Sequence, residues 1–260
     1  MLRFIGRILF MVILNFVILL VIIMLNSKLK LGLSNIEMDV FIFPFLLILN
    51  FFIVVPRLRK SFYKQFIKVK EWHLLIALPV LISIIALFVV YIYTYLPIFF
   101  NNHSVSMGSD QYVASETLSN LAQFVLLGIL GPFTEEVIFR YLLLYLLPYI
   151  FLLFLYNERA IIKRIVPKSV FLYGKNIYHN MTNTHSKITI TIWVIFVSTL
   201  FSLGHGPDLW SFPVYFLGGF IFGFLFIKYG FLSAWVAHGA FNVLSPIMKI
   251  VVLMFLDLFI

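Results

Sequence analysis

The chain contains no cysteine. That excludes disulfides, thiolate nucleophiles and thiolate metal ligands, and leaves the redox compartment open. Charge is almost as scarce: 11% of the 260 residues are Asp, Glu, Lys or Arg, against about 25% in an ordinary soluble domain. Such a chain cannot cover a globular surface with polar groups. Internal repeats and low-complexity segments are also missing, which speaks against a transporter built from duplicated halves. What is abundant is apolar: 63% of the residues are hydrophobic, 31 of them phenylalanine. The composition predicts an integral membrane protein, all-α, a polytopic transmembrane helix bundle in a lipid bilayer.

The formal net charge of +9 does not indicate a nucleic-acid surface, because Lys and Arg cluster in short segments between apolar runs. That is how membrane proteins set their topology. Arg3 and Arg7 precede a run from Ile8 to Leu25 with no cleavage site after it, read as a retained first span with its N-terminus in the cytoplasm of a cell (plasma) membrane. A second run, Val40 to Val55, returns to a loop holding Arg57, Arg59, Lys60, Lys64, Lys68 and Lys70, and a third covers Leu74 to Leu96. The loop from Asn101 to Thr117 has no Lys or Arg and faces out.

The apolar run from Leu118 to Leu155 would extend about 57 Å as straight helix, nearly twice the roughly 30 Å hydrocarbon thickness. Gly131-Pro132 is the expected break. A basic segment, 156–187, then reads as a second cytoplasmic loop, and further spans follow at Ile188 to Leu203, Phe212 to Ile227 and Phe231 to Pro246. The tail from Ile247 onward is short and interrupted by Lys249 and Asp257, so the expectation is seven spans, eight if the tail crosses. The chain divides into N-terminal transmembrane helices, 1–117, and a core, 118–260, with the cytoplasmic insert at 156–187.

Within that core three ionisable residues stand where they are expensive. Glu135, Glu136 and Arg140 would together cost roughly 8 to 10 kcal/mol if uncompensated at a bilayer centre. Such groups mark function by default. Glu136 and Arg140 are four apart with the carboxylate toward the N-terminus, so an internal ion pair accounts for both. Glu135 is rotated about 100° from Glu136 and has only Ile138 and Phe139 at i+3 and i+4. It is the carboxylate left to face a polar cavity.

Of the six histidines, His73 lies at a span edge and His103, His179 and His185 lie in loops; only His205 and His238 fall at or within predicted spans. Phe201 precedes His205 by four residues and His238 precedes Asn242 by four, so each pair shares a helix face. If 118–155 and 188–203 form a hairpin, Glu135 and His205 reach similar heights. A carboxylate opposed to an imidazole can hold and deprotonate a water, and a second imidazole with a carboxamide can donate to a developing oxyanion. The set suits amide hydrolysis. The glycines Gly218, Gly219 and Gly223 are read as close-approach positions between helices.

Three motifs in this order, Glu135-Glu136-x-x-x-Arg140, Phe201-x-x-x-His205 and His238-x-x-x-Asn242, resemble those of the CPBP intramembrane proteases, the family of CAAX-type prenyl-protein endopeptidases and bacteriocin-processing or Abi proteins. The resemblance covers about Leu118 to Pro246. It implies an endopeptidase in which Glu135 is the general base, His205 its partner on the water, and His238 with Asn242 the oxyanion stabilisers, Glu136, Arg140 and Phe201 being supporting. The implied partner is a peptide or membrane-anchored protein substrate. The same fold without turnover would serve a membrane immunity or regulatory protein that binds a peptide or a sensor kinase. Zinc on Glu135, His205 and His238 is a possible cofactor, but the reading favours none, because Asn242 beside His238 suits an oxyanion site better than a ligand set and no His-Glu-x-x-His helix exists.

Overall fold

A computed structural model describes residues 2–100, 104–105, 118–148, 172 and 187–258. Among them the chain is helical throughout: α1 (Leu2–Leu29), α2 (Asn35–Val54), α3 (Pro56–Phe66), α4 (His73–Ile98), α5 (Asn120–Leu146), α6 (Lys187–Leu203), α7 (Phe212–Tyr229) and α8 (Phe231–Leu256). Six of these are long and apolar enough to cross a membrane, and Ile190–Leu203 of α6 is a shorter apolar helix. The protein is an integral membrane protein. The tail that might have formed an eighth span instead continues α8 through Pro246 to Leu256. The insert 156–187 lies almost wholly outside the described residues, as does most of the segment 101–117, expected as an outward loop.

Gly131-Pro132 does not break α5. The helix runs on, with a π segment, Leu126–Leu130, ending two residues before the proline. The same arrangement recurs at Pro44, behind the π segment Met38–Ile42, and at Pro79, behind His73–Ala77. A proline ring clashes with the carbonyl four residues back and has no N–H to offer it. Widening the preceding turn moves that carbonyl aside, so the helix crosses the proline without stopping.

Two carbonyls of that π segment on α5 accept hydrogen bonds from α8. Trp235 Nε1 donates to Ile129 O at 2.9 Å and Asn242 Nδ2 to Leu127 O at 3.0 Å. Between them Gly239 lies against Gly128, so closely that a Cβ on Gly239 would strike the Gly128 carbonyl oxygen. On the other side α7 approaches α6 through Gly219 and Gly223, where a Cβ would stand 3.0 Å from Phe201 and Val194 respectively. The glycines thus set the helix spacing on both sides of the expected site.

The segment 57–70, expected as a loop, contains α3. Pro56 starts it, and Leu58, Phe62 and Phe66, four apart, turn one face to the bundle while Arg57, Arg59, Lys60 and Lys64 stay exposed. Phe62 is buried against Phe52, Tyr141 and Phe231, and Tyr141 Oη donates to Leu58 O at 2.9 Å. The same end of the bundle holds Arg7, whose Nη1 donates to Val54 O at 3.4 Å, and the α7–α8 turn, where Tyr229 O accepts from Lys68 N at 3.1 Å. Gly230 makes that turn at φ +104°, a conformation other residues rarely adopt. At the opposite end Ser119 N donates to Leu31 O at 2.9 Å and Tyr93 Oη to Trp210 O at 2.8 Å. There Ser34 and Glu37 form a capping box that starts α2 and buries Glu37.

Candidate active site

α5 and α6 run antiparallel, which brings Glu135 and His205 to one level. Trp193 Nε1 donates to Leu144 O at 3.1 Å, further along Phe139 meets Phe201 edge to face at 5.1 Å, and beyond that His205 Nε2 stands 3.6 Å from Glu135 Oε2. His238 comes in from α8 and faces both glutamates. Its Nδ1 is 2.9 Å from Glu136 Oε1 and its Nε2 is 3.8 Å from Glu135 Oε2. The pairs at 3.6 and 3.8 Å are too long for direct hydrogen bonds but suited to a water between them.

Both imidazoles are fixed from behind. His205 Nδ1 lies 2.8 Å from Phe201 O and can only donate there, which leaves Nε2 for the space beside Glu135. The ring stacks on Tyr215 at 4.7 Å, and that of His238 stacks on Phe222 at 4.6 Å. His238 is 5% exposed, whereas the Glu135 and His205 side chains are 32% and 27% exposed. Glu135 Oε2 itself is shielded and has no hydrogen-bond partner, so the exposure belongs to the rest of that side chain. The site is reachable from one side and walled on the other.

Glu136 and Arg140 form the wall. Both are fully buried, with Arg140 Nε 3.1 Å from Glu136 Oε2 and the guanidinium lying 4.8 Å over the Phe201 ring. Phe201 therefore touches three members of the group, its ring also 4.6 Å from His205 and 5.8 Å from His238. Asn242 sits one turn beyond His238, its amide donating one hydrogen to Leu127 O, which leaves the second N–H uncommitted by that bond.

Three residues of this region carried no role in the sequence reading: Tyr215, Phe222 and Asp208. The two aromatics lie seven apart, on one face of α7, a spacing that was legible but indistinguishable from ordinary packing among so many phenylalanines. Asp208 organises the loop after His205. Its Oδ1 accepts from Ser211 N at 2.7 Å, Ser211 Oγ at 2.8 Å and Trp210 N at 3.0 Å, and these bonds, Ser211 first, hold the carboxyl below its usual pKa. Among the described residues no group of His, Asp and Glu has the arrangement of a metal site.

Compared with protein-family models, residues 117–244, just under half of the chain, match the family described as type II CAAX prenyl endopeptidase Rce1-like. The matched stretch carries all three motifs. No curated protein and no solved structure matches the chain.

Proposed function

We propose, on the match of residues 117–244 to the type II CAAX prenyl endopeptidase Rce1-like family, that the protein is an intramembrane endopeptidase of the glutamate type. The observation that carries this reading is the convergence of two imidazole Nε2 atoms on Glu135 Oε2, each ring held at its Nδ1. A water between Glu135 and His205 gives its proton to the carboxylate and attacks the scissile carbonyl carbon. The carbonyl oxygen, now an oxyanion, accepts hydrogen bonds from His238 and from the second N–H of Asn242. When His238 carries both protons, Nδ1–H goes to Glu136 and Nε2–H is left to donate. Glu135 then returns its proton to the departing amine and the C–N bond breaks. The substrate is a peptide or membrane-anchored protein.

The zinc alternative assigns Glu135, His205 and His238 as ligands and makes a different prediction. In the metal-free mechanism purified active protein holds well under one zinc per chain, and prolonged incubation with a chelator leaves peptide cleavage unchanged. One tightly bound zinc per active chain, lost alike in His205→Ala and His238→Ala, would reverse the choice of metal and keep the hydrolysis.

The proposed orientation puts the basic end of the bundle, with α3 and the Lys228 turn, in the cytoplasm of a cell membrane. The absence of native cysteine makes this simple to measure. A cysteine at Lys64 stays protected from an impermeant thiol reagent in intact cells, while one at Leu209, 83% exposed at the other end, reacts. Labelling at Lys64 and protection at Leu209 would invert the topology.

A further inference from the structure

Resting on the proteolytic reading, we propose that Tyr215 and Phe222 of α7, a helix that carries none of the three motifs, are positioning residues, each holding one imidazole of the site by the face of its ring. Among the described residues they are the two rings that stack on these imidazoles. Tyr215 lies 4.7 Å from His205 with 23° between the planes, and Phe222 lies 4.6 Å from His238 with 18°. Phe201 serves both imidazoles, but at an angle of 48° to the first and 74° to the second. It limits their movement without giving either a flat surface to lie on. The stacks are private, one to each histidine.

His205 needs such a support more than a residue inside a helix does. It follows the end of α6 at Leu203, in a turn between Gly204 and Gly206, the latter at φ +55°. Glycines on both sides leave the backbone there little stiffness of its own. The hydrogen bond from Nδ1 to Phe201 O, at 2.8 Å, fixes one point of the ring and lets its plane rock about that point. The face of Tyr215 stops the rocking and keeps Nε2 turned to Glu135. Reacting groups require this restraint, because displacements of about 0.5 Å already matter.

α7 is placed to hold both rings at once. Tyr215, Gly219, Phe222, Gly223 and Phe226 fall within an arc of about 100° on its surface. The glycines bring that face against α6: a Cβ on Gly219 would stand 3.0 Å from Phe201 and 3.3 Å from Ser198, and one on Gly223 would stand 3.0 Å from Val194. Both ends of the helix are tied. At its start Ser202 Oγ donates to Phe212 O at 3.0 Å, and Ser211 N and Oγ donate to Asp208 Oδ1. At its finish Lys68 Nζ donates to Phe226 O and Ile227 O, each at 3.2 Å. A helix tied at both ends and pressed in along its length cannot slide past the two histidines, so each aromatic sets one imidazole.

The test reads the imidazoles themselves without substrate, so a failure of the proteolytic assignment leaves it interpretable. Full-length protein labelled with 15N-histidine is studied by NMR in detergent, above the pH at which the ring signals stop moving, with His205 and His238 assigned by their single glutamine variants. In the wild type the proton of His205 stays on Nδ1, where Phe201 O accepts it, and the two ring nitrogens give widely separated signals. Methionine fills most of the space of an aromatic ring without offering a flat face. In Tyr215→Met the tautomers of His205 therefore exchange and the separation falls to about half or less, while His238 is unchanged; Phe222→Met does the reverse. Tyr215→Phe keeps the stack and the wild-type signals of His205. For any peptide that the wild type cleaves, kcat in each methionine variant drops roughly tenfold with KM unchanged. Unmoved His205 signals in Tyr215→Met overturn the proposal, as do both rings moving together in each variant while the melting temperature falls, which would make α7 a packing element only. His205 as disturbed in Tyr215→Phe as in Tyr215→Met would transfer the effect to the hydroxyl and overturn the stack, and averaged ring signals with kcat unchanged would show that the imidazoles need no such support.

Discussion

Replacing Glu135 by glutamine leaves the protein folded and abolishes cleavage. The carboxamide keeps the size of the side chain and its contacts with His205 and His238, now 3.6 and 3.8 Å from Oε2, so insertion, yield and melting temperature stay at wild-type values. What it loses is basicity, since an amide cannot take the proton of an attacking water. A positioned base contributes about 10² to 10⁴ in rate, and turnover of any peptide cleaved by the wild type falls by that factor. The neighbouring Glu136 cannot substitute. It is fully buried, engaged by Arg140 and His238, and rotated to the walled side. Wild-type cleavage by Glu135→Gln, measured as product formed per hour by purified protein in detergent, would remove Glu135 from the role of base.

How much of this was legible in the sequence depends on whether the signal was local. The pairing of Glu136 with Arg140 follows from helical spacing alone, and the structure shows it. The alignment of Glu135 with His205 followed from hairpin length, a cruder argument that held because α5 and α6 pack antiparallel over their whole contact. The link from His238 to Glu136 was not legible, because it joins residues of helices far apart in the chain and has no spacing to betray it. Nor was the continuity of α5 through Pro132. A proline in a sequence predicts a lost hydrogen bond, but whether the helix stops or widens depends on the packing around it, here α8, whose Trp235 and Asn242 donate to Ile129 O and Leu127 O in the widened turn. α3 was legible in retrospect from Leu58, Phe62 and Phe66, and was hidden by the charges that made its surroundings look like a loop.

Replacing Arg140 by alanine gives the largest loss of stability expected of any single change in the site. The guanidinium is fully buried, it is the cation against Glu136 Oε2, and its face lies on Phe201. Without it the Glu136 carboxylate keeps only His238 as a partner, in surroundings that cannot hydrate it, while a cavity opens beside Phe201 and Phe139. Removing one partner of a buried pair costs about 3 to 5 kcal/mol. The melting temperature in detergent drops accordingly, and activity falls with it because Glu136, without Arg140 to anchor it, no longer holds His238 in one place. If the defect is the stranded charge, neutralising it restores the fold. The double variant Glu136→Gln/Arg140→Met fills the space, keeps an acceptor for His238 Nδ1 and recovers most of the lost stability, since buried pairs are readily replaced by apolar groups of similar volume. Cleavage by that double variant then reports on the charges of the pair, separated from the loss of the fold. Arg140→Ala at wild-type stability with turnover lost would instead place the guanidinium on the substrate, and failure of the double variant to recover stability would mean that the Phe201 contact, not the ion pair, holds this wall together.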